Sequence, residues 1–201
     1  APPMNRSLLS AAVACALVAP AAADDAPVPV RGSKVSYPRT ITTPVGPQTH
    51  TLKLTGAGLR TKAFFSVYTV GSYLQDGVPA KTAADVAKAD AVKVLYLVFE
   101  RDVDGADVVG AFKTAIGRAH PDQFAAEFAQ LTDAVGAKGV KRGEHVGLTA
   151  VPNVGLRVKV GAGDEVTVKS PAFAKAVWEV YLGAEPIAEG LRDSLVERLP
   201  R

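Results

Sequence analysis

The chain has 201 residues, 48% of them hydrophobic, with 23 basic and 20 acidic side chains for a formal charge of +3. Its basic residues are scattered rather than striped with aromatics, which speaks against a nucleic-acid partner. One cysteine, Cys15, excludes an internal disulfide and a thiolate metal cluster.

From Met4 the sequence reads as a secretory signal: Arg6, an apolar run from Leu8 to Val18, then Ala21-Ala22-Ala23 before Asp24-Asp25. Met4 is the expected start, with residues 1–3 upstream of it. Residues 1–23 are then signal, with cleavage after Ala23. Cys15 after Ala12-Val13-Ala14 leaves a lipoprotein signal as the alternative. The run is too short to span a bilayer as a helix. A periplasmic or secreted location follows. Residues 24–33 read as an extended leader, and residues 34–201 as one domain, long enough to fold without disulfides.

Val35–Ile41 and Thr49–Leu54 read as strands separated by a Pro44–Pro47 turn. Ala63–Leu74 is the next strand, and Thr82–Ala89 a short helix. Val92–Phe99 (VKVLYLVF) is apolar almost throughout, the mark of a strand covered on both faces and central in its sheet. A helix over Gly105–Gly117 follows, with Asp104 as N-cap and Val108, Val109, Phe112 and Ile116 on one face. Pro121 opens another, carrying Phe124, Phe128, Leu131 and Val135.

Val154–Val160 and Glu165–Lys169 alternate as a half-buried hairpin around Gly161–Asp164. Ser170-Pro171 starts a helix lined by Phe173, Val177, Trp178 and Tyr181 and closed by Gly183. A last helix is expected over Ile187–Arg198. Strands, helices, strands, helices is the order of an α+β fold: an antiparallel sheet with helices on one face.

Most chemical motifs fail on spacing. His50, His120 and His145 share no metal-binding neighbourhood, and nothing selects one as a haem ligand. Asp102, Asp104 and Asp107 (DVDGAD) lack the sixth-position glycine and twelfth-position glutamate of a calcium loop. TGAGLR lacks the third glycine and the following helix of a dinucleotide loop. No metal site or cofactor is expected.

Arg60 stands out. Gly56 and Gly58 precede it, permitting close backbone approach. Leu59, Phe64 and Phe65 flank it with apolar surface. A partly desolvated guanidinium seeks a carboxylate, phosphate or carbonyl. Tyr68, eight residues on, meets it only if the chain turns between them, near Thr61-Lys62. Tyr96, on the central strand, is a third polar candidate.

GAGLRTKAFFSVYTVGSYLQ and SPAFAKAVWEVYLGAEPIAEGLRDSLVERL resemble, in order, two signatures of the chalcone isomerase-like superfamily, especially its exported bacterial branch. The second includes the turn at Leu182, Gly183 and Pro186. The resemblance implies an open-faced β-sandwich with a ligand cleft between sheet and helices.

Enzymes of that family use an arginine after G-x-G, a strand threonine, a helical tyrosine and asparagine, and a late threonine or serine. Arg60 matches the arginine. Tyr68 stands at the threonine, Gly105–Thr114 contains neither tyrosine nor asparagine, and Val180 replaces the late hydroxyl. Loss of these donors to a developing enolate implies a rate lower by orders of magnitude.

Non-catalytic members bind fatty acids with the arginine and a strand tyrosine, the pattern of Arg60 and Tyr68. The expectation is therefore a non-catalytic protein that binds a small amphipathic acid. Arg60 and Tyr68 would hold its head, and Phe64, Phe65, Val94, Tyr96 and Phe112 would form the wall. The alternatives are an isomerase acting on a chalcone-like enone, with Arg60 as electrophile, and a haem-binding or partner-binding module.

Overall fold

The computed structural model of the chain describes residues 26–136 and 139–200. The expected signal segment and its expected cleavage point lie outside these residues. Two short strands, β1 (Val28–Pro29) and β2 (Ser36–Tyr37), pair as a small hairpin. β3 (Thr40–Val45), β4 (Gln48–Lys62) and β5 (Phe65–Gln75) follow. Helix α1 (Ala83–Lys88) leads to β6 (Lys93–Phe99). Helices α2 (Gly105–Ala119) and α3 (Ala125–Val135) precede β7 (His145–Val151), β8 (Gly155–Val160) and β9 (Glu165–Val168). Helices α4 (Pro171–Leu182) and α5 (Glu189–Ser194) end the chain.

β3 to β9 form one antiparallel sheet in which strand order equals chain order. β6 is fourth of seven, as its unbroken apolar run predicts. Its alternate residues enter two separate cores. Leu95, Leu97 and Phe99 face the helices, with Trp178, Val177 and Phe173 of α4. Val94, Tyr96 and Val98 face the opposite side, where Val30 and Tyr37 pack. Val30 is 3% exposed, so the leader expected to be merely extended covers the second face of the sheet. Gly71 makes room for Tyr37 of β2: a Cβ there would lie 2.6 Å from the Tyr37 ring. The Tyr37 hydroxyl bonds Thr69 at 2.8 Å.

The helix ends follow from their caps. Thr82 and Asp85 form a capping box at α1, and Ser170 caps α4 with Pro171 in its first turn. Asp104 occupies the N-cap position of α2 without a side-chain bond. Lys93 is an exception to the apolar core, 5% exposed. Its ammonium donates to the Val86 and Ala87 carbonyls at 3.2 and 2.8 Å, and lies 5.4 Å from the Trp178 ring. It thus caps the C-terminal end of α1, where a cation is favoured.

Two helices are shorter than their periodicity predicts. Phe124 adopts a left-handed φ of 68° and α3 begins after it, not at Pro121. The strain is met by aromatic packing: Phe124 lies 5.4 Å from Phe173 and 5.6 Å from His120, centroid to centroid. At the C-terminus α5 stops at Ser194 because β4 competes for its backbone. The Thr55 hydroxyl donates to the Leu195 carbonyl, and Arg198 N–H donates to the Thr55 carbonyl.

Candidate functional site

β4 and β5 form a hairpin whose register pairs Arg60 directly with Tyr68. The turn lies at Ala63-Phe64, two residues beyond the predicted position, and it brings together two residues eight apart in sequence. Arg60 and Tyr68 face the helices at one end of the sheet. Together with α2 and α4 they line a cavity of about 920 Å³. Leu97 and Phe99 contribute the sheet wall, Val108 and Phe112 the helical wall.

The polar centre is a chain of three side chains. The Tyr68 hydroxyl lies 3.2 Å from that of Tyr181, on α4. Burial raises the pKa of Tyr68 despite the opposing pull of the Tyr181 hydrogen bond and the Arg60 charge. Burial raises Tyr181 further, and the Tyr68 hydroxyl adds to it while Arg60 opposes. Both phenols are therefore neutral donors at physiological pH. Arg60 is partly buried, donates to the Thr61 carbonyl, and makes no ion pair with an acidic side chain among the described residues. A cation and two phenol donors beside apolar walls can hold an anionic head with its tail in the cavity. Phe99 and Phe112 support the phenols, at 5.5 Å from Tyr68 and 6.2 Å from Tyr181.

Three expected wall residues lie elsewhere. Val94 and Tyr96 belong to the opposite face of β6, and Tyr96 stacks on His145 at 5.1 Å. The reason is parity: adjacent residues of a strand point to opposite sides, and here Leu95, Leu97 and Phe99 hold the helical face. Phe64 points into solvent at the hairpin tip and does not line the cavity. Phe65 does line it, at the exposed rim, and Phe112 lines it from α2.

Tyr181 was visible in sequence only as part of an apolar helical stripe. A tyrosine hydroxyl in such a stripe needs a buried partner, and that was its available signal. The glycines before Arg60 serve packing rather than ligand approach. A Cβ on Gly56 would lie 2.1 Å from the Ser194 carbonyl, and one on Gly58 would meet Leu191 and Ser194. They let the C-terminal segment lie flat on β4.

The remaining candidates are occupied locally. Asp102 accepts from the Arg142 N–H and from Lys141, which holds its carboxyl below the usual range. His120 pairs with Glu179 at 2.9 Å, tying the end of α2 to α4. Among the described residues, the cavity lining contains no histidine, methionine or cysteine.

A family model described as chalcone isomerase-like matches residues 31–196. Among solved structures, the chain is similar to the crystal structure of a fatty-acid binding protein of Arabidopsis thaliana. The two are 18% identical over 81% of this chain and 92% of that one, with a TM-score of 0.61, a likeness of fold. No curated protein sequence matches the chain. The family match covers the antiparallel sheet, the helices on its face and the cavity between them, and so the chain belongs to the chalcone isomerase-like family.

Proposed function

We propose that this protein is an exported, non-catalytic binder of a small amphipathic acid such as a fatty acid. The carboxylate is held by Arg60, Tyr68 and Tyr181, and the chain lies against Leu97, Phe99, Val108 and Phe112. The observation that carries the reading is the convergence of Arg60, which makes no ion pair among the described residues, and two neutral phenol donors on a cavity with apolar walls at Leu97, Phe99, Val108 and Phe112. The fatty-acid binding protein that shares the fold supports it as an analogy.

Titration with a fluorescent fatty acid tests the proposal. Arg60→Ala removes a charge-assisted contact and is expected to weaken binding about 10- to 100-fold, with the circular dichroism spectrum unchanged. Equal affinity of variant and wild type would refute it. Export carries its own test: protein recovered from the periplasm or medium should begin at Asp24.

The two hydroxyls also favour a second reading, isomerisation of a chalcone-like enone, because both are donors suited to an enolate oxygen. Incubation with chalcones separates the readings. Arg60-dependent loss of the enone absorbance would establish an enzyme, and stable absorbance supports the binder.

A further inference from the structure

The β4–β5 turn is one that folding alone does not explain. Ala63 and Phe64 have φ of 48° and 69°, a left-handed pair that hairpin turns normally fill with asparagine and glycine. A bulky residue there is an outlier and costs conformational energy. Phe64 is 105% exposed and Phe65 65%, so neither repays that cost by full burial. Two adjacent water-facing phenylalanines on a protruding tip are suited to contacts outside the chain.

The surroundings indicate what they meet. Residues 60–66 (RTKAFFS) carry Arg60 and Lys62 and no acid. Exposed Arg101 lines the same cavity mouth. The acidic side chains on that rim, Asp102, Asp104 and Asp107, belong to the segment that leads into α2 and to its first turn, and Asp102 is already bonded to Lys141. Aromatic rings flanked by cations match the boundary of a bilayer with anionic headgroups: rings at the acyl boundary, cations over the phosphates. Lys62, Ala63 and Phe65 also line the cavity, so a docked tip would set the mouth against the lipid.

We propose that the hairpin tip Lys62–Phe65 is a membrane-docking element, inserting Phe64 and Phe65 into an anionic bilayer surface so that an amphipathic acid passes between lipid and cavity. The transfer step rests on the binding reading above; the docking does not.

A Phe64→Trp variant reports insertion locally, because the one native tryptophan, Trp178, is fully buried. With phosphatidylglycerol-containing vesicles its emission should shift to the blue and be quenched by brominated acyl chains. The shift should shrink with phosphatidylcholine alone or at high salt. Phe64→Ser should weaken vesicle binding about tenfold or more, and leave fatty-acid affinity in vesicle-free buffer unchanged. Emission that stays at the water position with saturating vesicles overturns the proposal. So does equal vesicle binding by Phe64→Ser and wild type, or a tip that instead mediates self-association, seen as Phe64→Ser converting a dimer to a monomer in sedimentation. A clear Phe64→Trp shift alongside failed fatty-acid titration would retain docking and reject the cavity reading.

Discussion

Lys93 makes the stability of this fold depend on pH in an unusual direction. Burial lowers its pKa from 10.5 to about 8, with Asp90 opposing the shift and Lys175 adding to it. Between those two values the unfolded chain holds a proton that the folded chain has released, so stability rises with pH. A gap of about 2.5 corresponds to about 3 kcal/mol in full, of which about 2 kcal/mol appears between pH 7 and about pH 9.5. Tyr37, Tyr68, Tyr73, Tyr96 and Tyr181, whose pKa values burial raises, pull the other way as unfolded tyrosines ionise, near pH 10. Urea unfolding followed by Trp178 fluorescence reads the gain, and Lys93→Met is the control. That variant gives up two bonds to α1, so its slope with pH, not its absolute stability, is the measure. Over that range the wild type should gain about 2 kcal/mol relative to Lys93→Met, whose own stability falls slightly as unfolded tyrosines begin to ionise. Parallel slopes would show that the buried ammonium is not the cause.

Tyr181→Phe removes one hydroxyl and keeps the ring on Phe112, so fatty-acid affinity should fall about two- to tenfold with the melting temperature little changed. A change as large as that of Arg60→Ala would mean that the phenol, not the cation, dominates. Gly56→Ala places a methyl group within 2.1 Å of the Ser194 carbonyl and should cost about 1–3 kcal/mol in denaturant unfolding. An unchanged midpoint would show that the C-terminal segment is not seated on β4.

Features with local causes were legible in the sequence. Ser170, Pro171 and Gly183 bound α4 because capping is settled within a few residues. The central place of β6 followed from its composition. That same composition hid which residues share a face: where both sides of a strand are apolar, the pattern carries no parity, and Val94 and Tyr96 fell on the wrong side. The Arg60–Tyr68 pair was legible once a turn was placed between them. Tyr181 was not, since only the tertiary packing of α4 on the sheet brings its hydroxyl to Tyr68. The early stop of α5 likewise depends on a bond between Thr55 and Leu195, far apart in the chain.

The sheet is a simple meander, each strand bonded to its neighbour in sequence, yet residues 100–144 leave it between β6 and β7 and return to the adjacent position. That excursion carries the whole α2 wall of the cavity, while Arg60 and Tyr68 stay on the sheet. On the proposed fatty-acid reading, head-group chemistry and tail selectivity would be written in different stretches of the gene. Evolution, or an engineer exchanging this one insertion between relatives, could then retune the length and shape of the guest without disturbing the grip on its charged end.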